Sequence, residues 1–252
     1  MKNVNKTNRI KKITGILLII ALAGILAVST VSCIWTVGLV RGSGEIETEE
    51  REVSGFQKVH LSGTGNLIIT QGEKESLVIE ADDNVIPLIE AEVLRGRLTI
   101  SLKRGYNLIP TSTLKFYLTV KDLNEISLSG AGDINCDSFN TEEMEFKISG
   151  AGDIDFNINA RKVEITSSGA GNLTLSGQVD VQEVNISGVG KYDGAGLESK
   201  RCEITVAGVG SATVNVSEEL DVDISGVGNV NYIGTPHVEQ DISGLGNVKS
   251  ID

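Results

Sequence analysis

The sequence predicts an all-β protein: a parallel β-helix with coils of about 19 residues, an irregular β half before it, and one N-terminal hydrophobic membrane segment. Three observations carry this expectation. A Ser-Gly-x-Gly pattern recurs at nearly constant spacing along the second half, the residues flanking each copy alternate apolar and polar, and residues 13–40 carry no charge. Composition agrees. With 29 glycines and only 4% aromatic residues in 252, the chain suits repeated short strands, and it is neither a disordered tail, a collagen nor a polytopic membrane protein.

The N-terminal segment comes first. Residues 1–41 hold six of the 22 basic residues and no acid, and the 28 residues from Ile13 to Val40 exceed the ~20 needed to span a bilayer as a helix. The basic flank is expected to stay in the cytoplasm, which places everything after Arg41 outside. Thr30-Val31-Ser32-Cys33 resembles a bacterial lipobox, making Cys33 a lipidation candidate. An uncleaved signal anchor, a lipoprotein signal and a cleaved signal all deliver an extracytoplasmic domain. The predicted organisation is a signal anchor or lipoprotein signal over 1–41 and a β domain over 42–252, irregular over 42–125 and regular over 126–252.

The β domain is strongly acidic. Removing the six N-terminal bases leaves 16 bases against 34 acids, a net charge of −18 for residues 42–252. Such a surface repels a phosphate backbone, so no nucleic acid is expected as a partner.

The repeat has seven regular copies, whose first glycines are Gly130, Gly150, Gly169, Gly188, Gly208, Gly226 and Gly244, spaced 20, 19, 19, 20, 18 and 18 apart. After each copy, alternate positions are mostly apolar: Ile134 and Cys136, Ile154 and Phe156, Leu173 and Leu175. Positions between them are polar, as in Asp133 and Asn135 or Asp153 and Asp155. The same alternation precedes the glycines, for example Phe146 and Ile148. Strand, glycine corner, strand and return make one coil, and coils stack at ~4.8 Å. The glycines are expected to allow positive φ at the corner and close approach between coils. Phosphate cradling is disfavoured because no helix follows any copy.

The irregular half contains an eighth copy, Ser62-Gly63-Thr64-Gly65-Asn66, 67 residues before Gly130 and with the same frame. Strands are expected at Ser76–Ala81, Arg97–Leu102 and Thr113–Val120, with a turn or short helix around Asn84–Ile89. This half is expected to start the helix and cover its first coil, so that no bare edge is exposed.

At this point the chain resembles the putative auto-transporter adhesin, head GIN domain family. The resemblance rests on Arg51-Glu52-Val53-Ser54-Gly55-Phe56, on Ser62-Gly63-Thr64-Gly65-Asn66-Leu67, on Gln71-Gly72-Glu73-Lys74-Glu75-Ser76-Leu77 and on the repeated Ser-Gly-Ala-Gly-Asp, over about residues 44–250. It implies an extracytoplasmic bacterial β-helix, often on a lipoprotein or membrane anchor, with no family catalytic residues to transfer. The later copies depart from the pattern, with Val or Leu for Ala and with Lys191 and Ser211 for Asp or Asn.

Candidate chemistry is sparse. Asp133, Asn135, Asp153 and Asp155 share one outward face and could offer oxygens to Ca²⁺, although a solvated polar face with Asn and Asp at corner positions is the preferred account. Stacking also brings Asp133 and Asp153 to ~4.8 Å, which any ladder would do, so the pair alone does not announce a glycosidase. His60 and His237 read as solvated surface residues. Phe146, Phe156, Tyr192 and Tyr232 fall on inward positions, and Cys136 and Cys202 are expected as buried, unpaired thiols. The function expected is a membrane-anchored, extracytoplasmic binding, adhesion or envelope-structural module without catalysis or a cofactor. Its ligand would be a cell-surface glycan or protein. The alternative is a polysaccharide hydrolase or lyase.

Overall fold

The computed structural model describes residues 38–109 and 114–251. Cys33, Trp35 and all but the last three residues of the uncharged run lie outside these. Among the described residues no helix is long and apolar enough to cross a membrane. The run's last residues, Gly38–Val40, belong to strand β1 (Gly38–Arg41), which pairs with β8 (Tyr106–Ile109).

The irregular half continues with β2 (Ile46–Arg51), β3 (Lys58–Ser62), β4 (Thr64–Gln71) and β5 (Ser76–Asp82), a 3₁₀ turn at Ile86–Leu88, then β6 (Ile89–Leu94), β7 (Arg97–Leu102) and β9 (Lys115–Val120). The regular half comprises β10 (Glu125–Leu128), β11 (Ala131–Asn140), β12 (Glu143–Ile148), β13 (Ile154–Ser167) and β14 (Asn172–Ile186). It ends with β15 (Val189–Val206), β16 (Val209–Ile224), β17 (Val227–Ile233), β18 (His237–Ile242) and β19 (Leu245–Ser250). The strands expected in the irregular half are present within two residues at each end.

All coils stack in parallel through two ladders. One runs before the glycine corners, from β7 through β3, β10 and β12 into the later halves of β13 to β16 and then β18. The other runs after them, from β9 through β4, β11 and the earlier halves of β13 to β16 to β17 and β19. The eighth copy therefore sits directly beside the first regular coil: Gly65 is in register with Gly132, and Lys58 with both Arg97 and Glu125. Between β4 and β10 the chain leaves the stack, lays β7 and β9 on the other side of β3 and β4, and returns. Antiparallel β6 covers β7, and antiparallel β5, itself paired with β2, covers β9, so the first coil has no bare edge.

The family-like residues before β3 serve this covering layer. Arg51 donates to the carbonyls of Ile89 (2.6 Å) and Ile86 (3.1 Å), Phe56 is buried, and the Gly55 N–H donates to Glu75 Oε2 at 2.8 Å.

The glycine corners differ from expectation in one respect. Among the corner pairs only Gly65 has φ in the left-handed region, at 130°. The others are needed for approach: a Cβ on Gly150 would stand 2.0 Å from the carbonyl oxygen of Gly130. That carbonyl accepts the Ala151 N–H at 2.9 Å, and Ala170, Val189, Val209 and Val227 repeat the bond at the same distance one coil further on each time. The bond holds successive corners so close that no side chain fits between them. The residue between the two glycines points outward, with Val189 60% and Leu245 74% exposed, which explains why Ala drifts to Val and Leu without cost to the stack.

The core lies between the ladders. Inward positions of the alternation are buried from Val59 and Leu61 to Val222 and Ile224, and in the last two coils Tyr232 and Val248 are half-buried. Phe146 and Phe156 meet edge to face at 5.3 Å, joining the two ladders across the core. Cys136 and Cys202 are buried and unpaired, as their separation by several coils requires.

Candidate functional site

The outward residues form rows along the stack, and each row has its own chemistry. On the post-glycine face, Asn135 is in register with Asp155, and the Asp153 N–H donates to Asp133 Oδ1 at 3.1 Å. Asp153 Oδ1 in turn accepts from the Asn172 backbone N–H (3.1 Å) and side-chain amide (2.9 Å). At these two corners the Asp after the second glycine thus supplies an acceptor for a backbone amide of the next coil. The four sequence candidates do come together, lining a shallow depression of about 510 Å³ that also includes the Lys191–Asp193 ion pair (2.6 Å). Their carboxylates are strung along the axis. Among the described residues no group of three or more His, Cys, Asp or Glu side chains is spaced to hold a metal ion.

The pre-glycine face carries a row the sequence reading missed. Glu125, Glu145, Glu164, Glu183, Glu203, Asp221 and Glu239 stand in register, one per coil. Glu125 is the anchor of this row. Its side chain is only 3% exposed, and it meets Arg97 (2.6 Å), Lys58 (3.2 Å) and Lys147 (3.3 Å). Burial pushes its carboxyl upward, but Lys58, Lys147 and Arg97 together outweigh burial and hold it below its ordinary value. Lys162 bridges Glu183 (2.7 Å) and Glu164 (3.9 Å), relieving like-charge repulsion further along.

His60 corrects the expectation of a solvated ring. It is half-buried, with Nδ1 2.6 Å from Ser127 Oγ and Nε2 3.1 Å from Ser129 Oγ. Burial first, and Arg97 second, lower its pKa against the opposing pull of Glu125, so the ring is neutral at pH 7 and its two nitrogens take one donor and one acceptor role with the serines. His237 is exposed and 3.5 Å from Glu239, as a surface residue should be. Neither histidine meets a nucleophile and an orienting carboxylate in the manner of a catalytic triad.

These features define a class first: a β-solenoid scaffold presenting long, regular polar rows. The chain belongs to the putative auto-transporter adhesin, head GIN domain family, whose model matches residues 55–236. It is similar to the solved structure of a putative adhesin from Bacteroides fragilis at 28% identity and a TM-score of 0.81, covering 84% of this chain and all of that one. It shares its fold with a putative lipid binding protein from Parabacteroides distasonis, at 23% identity, a TM-score of 0.70 and 85% and 100% coverage. A putative adhesin from Parabacteroides merdae has the same fold at 21% identity, a TM-score of 0.64 and the same coverages. No curated protein matches the chain.

Proposed function

We propose that this protein is a membrane-anchored, extracytoplasmic binding module of adhesive or envelope-structural kind that does not turn over its ligand. The observation that carries this reading is what the outward carboxylates do. Asp133 and Asp153, the pair a polysaccharide-cleaving enzyme would need, accept backbone amides of the next coil, and Glu125 is held by three cations. Such carboxylates are spent on the scaffold and lack the apolar pocket that would raise the pKa of a general acid. Membership of an adhesin-named family supports the binding role, and the basic cluster and uncharged run before Gly38 support the anchor.

Retention on isolated envelope fractions tests the reading. The full chain should sediment with cell-wall and outer-surface material in a saturable way, and protease added to intact producing cells should digest residues after Arg41. Protection of those residues in intact cells, or the absence of saturable retention, would overturn it.

A further inference from the structure

A third outward side lies where each coil returns from its post-glycine strand to the next pre-glycine strand. Asn140, Asn159, Gln178, Glu198 and Asn215 stand there in register. From Asn159 to Asn215 the stack opens into a groove of about 630 Å³. The register of the stack slips beside it. Gly194 pairs with Val214 and Glu198 with Asn215, so four steps along β15 face one along β16; Gly196 and Leu197 keep their partners Ser176 and Gly177 on β14 but have none on β16. This is where the spacing of the first glycines falls from 20 to 18. Leu197 turns into the core, and the Asn215 side-chain amide donates to the Ala195 carbonyl at 3.4 Å across the slip.

The wall of the groove is held from beneath by a polar chain inside the core. Ser199 lines the groove and donates its hydroxyl to the Asn215 carbonyl at 2.9 Å, while accepting from Gln182 Nε2 at 2.9 Å. Gln182 is fully buried, and its Oε1 accepts the Tyr192 hydroxyl at 2.7 Å. Gly194 makes room for that hydroxyl, since a Cβ there would lie 2.6 Å from it. The neighbours stacked on Gln182 are Val163 and Cys202, so an apolar residue would satisfy packing at this position. A buried amide there carries a desolvation cost and fixes the one wall that reaches the surface.

We propose that this groove binds a neutral, extended oligosaccharide. The inference rests on the binding-module reading and names its ligand class. Amides and carboxylates offer the paired donors and acceptors that vicinal hydroxyls require. Gln178 Nε2 already donates to Glu198 Oε2 at 3.0 Å, which orients both for a ligand laid across them. Rows repeat at ~4.8 Å along the axis, close to the length of one pyranose unit. The Lys200–Asp180 ion pair on the rim (2.7 Å) is self-neutralising, so no surplus cation selects for phosphate. Ala160 and Val179 are the apolar lining, too little to anchor the side chains of a peptide.

Titration calorimetry on the full chain with cellotetraose, chitotetraose and maltotetraose tests this, alongside retention on the envelope fraction. At least one tetrasaccharide should bind. Gln178→Ala and, separately, Glu198→Gln should each weaken it about tenfold or more, with melting profiles unchanged. Asn229→Ala, on the post-glycine face, should leave it within about twofold. Tyr192→Phe, which touches no ligand, should weaken it through the wall, and Gln182→Leu in the same chain should not restore it. Envelope retention without binding of any tetrasaccharide, or equal weakening by Asn229→Ala, would overturn the groove and leave the module standing. Loss of retention as well would overturn both.

Discussion

Replacing Gly150 by Ala perturbs one corner of the stack without touching any polar group. A new Cβ would lie 2.0 Å from the Gly130 carbonyl oxygen, whereas real Cβ atoms do not come within 3.0 Å, so the corner has to open by about 3.0 − 2.0 = 1.0 Å. The Ala151 N–H to Gly130 bond, now 2.9 Å, would stretch to ~3.9 Å and be lost. The flanking bonds of Ser149 and Gly150 to the Leu128 carbonyl, at 2.9 and 3.2 Å, would weaken with it. One to two hydrogen bonds at about 1 kcal/mol each, plus overpacking strain of ~1–3 kcal/mol, give a loss of roughly 2–5 kcal/mol. Urea denaturation followed by circular dichroism reads this as a lower midpoint. Ala151→Val, one residue away but pointing outward as Val189 does, should stay within about 0.5 kcal/mol of wild type. If Gly150→Ala matched Ala151→Val, the glycines would not be there for close approach, and the explanation of the repeat would fail.

Three further outcomes follow from the core and the charged row. Tyr192→Phe leaves the buried Gln182 Oε1 without its donor and should cost ~1–3 kcal/mol in urea, while Tyr192→Phe with Gln182→Leu should recover most of it. Because the folded-state pKa of Glu125 is depressed, its ion pairs contribute stability that is complete above its unfolded value and lost as pH falls through the lower folded value. Glu125→Gln should therefore flatten the acid limb of stability below about pH 4.5, and cost ~1–3 kcal/mol at pH 7, since its cations are nearly half exposed. Burial pushes the Cys136 thiol up to about 11 and that of Cys202 higher still, so in a Cys33→Ser chain neither should react with a maleimide at pH 7 until urea unfolds the coils.

The regular coils were legible because a period-two alternation locked to a fixed glycine phase leaves one way to point each side chain. Phe146, Phe156 and Tyr192 were placed inward on that ground and are buried. The neighbour of the eighth copy was not legible: nothing local in the 66 residues between Gly63 and Gly130 says that the chain detours and returns to the same coil. The acidic row could have been found, since each of its members stands five residues before a first glycine, from Glu125 before Gly130 to Glu239 before Gly244. Gln182 stands on the apolar phase of its strand with nothing local to mark its role, because its partner Tyr192 and the space left by Gly194 lie in the following coil. The roles of Asp133 and Asp153 escaped for a related reason. A carboxylate that accepts an amide one coil away has the same sequence signature as one facing solvent.

The most direct test of a non-catalytic role is to follow binding and bond cleavage on one sample. Purified envelope polysaccharide is incubated with the full chain, and bound protein and newly released reducing ends are measured over hours. Saturable binding with no time-dependent release is the expected result, unchanged in release when Asp133→Asn and Asp153→Asn are combined. Reducing ends that accumulate in proportion to time and protein, and disappear in the double variant, would contradict it.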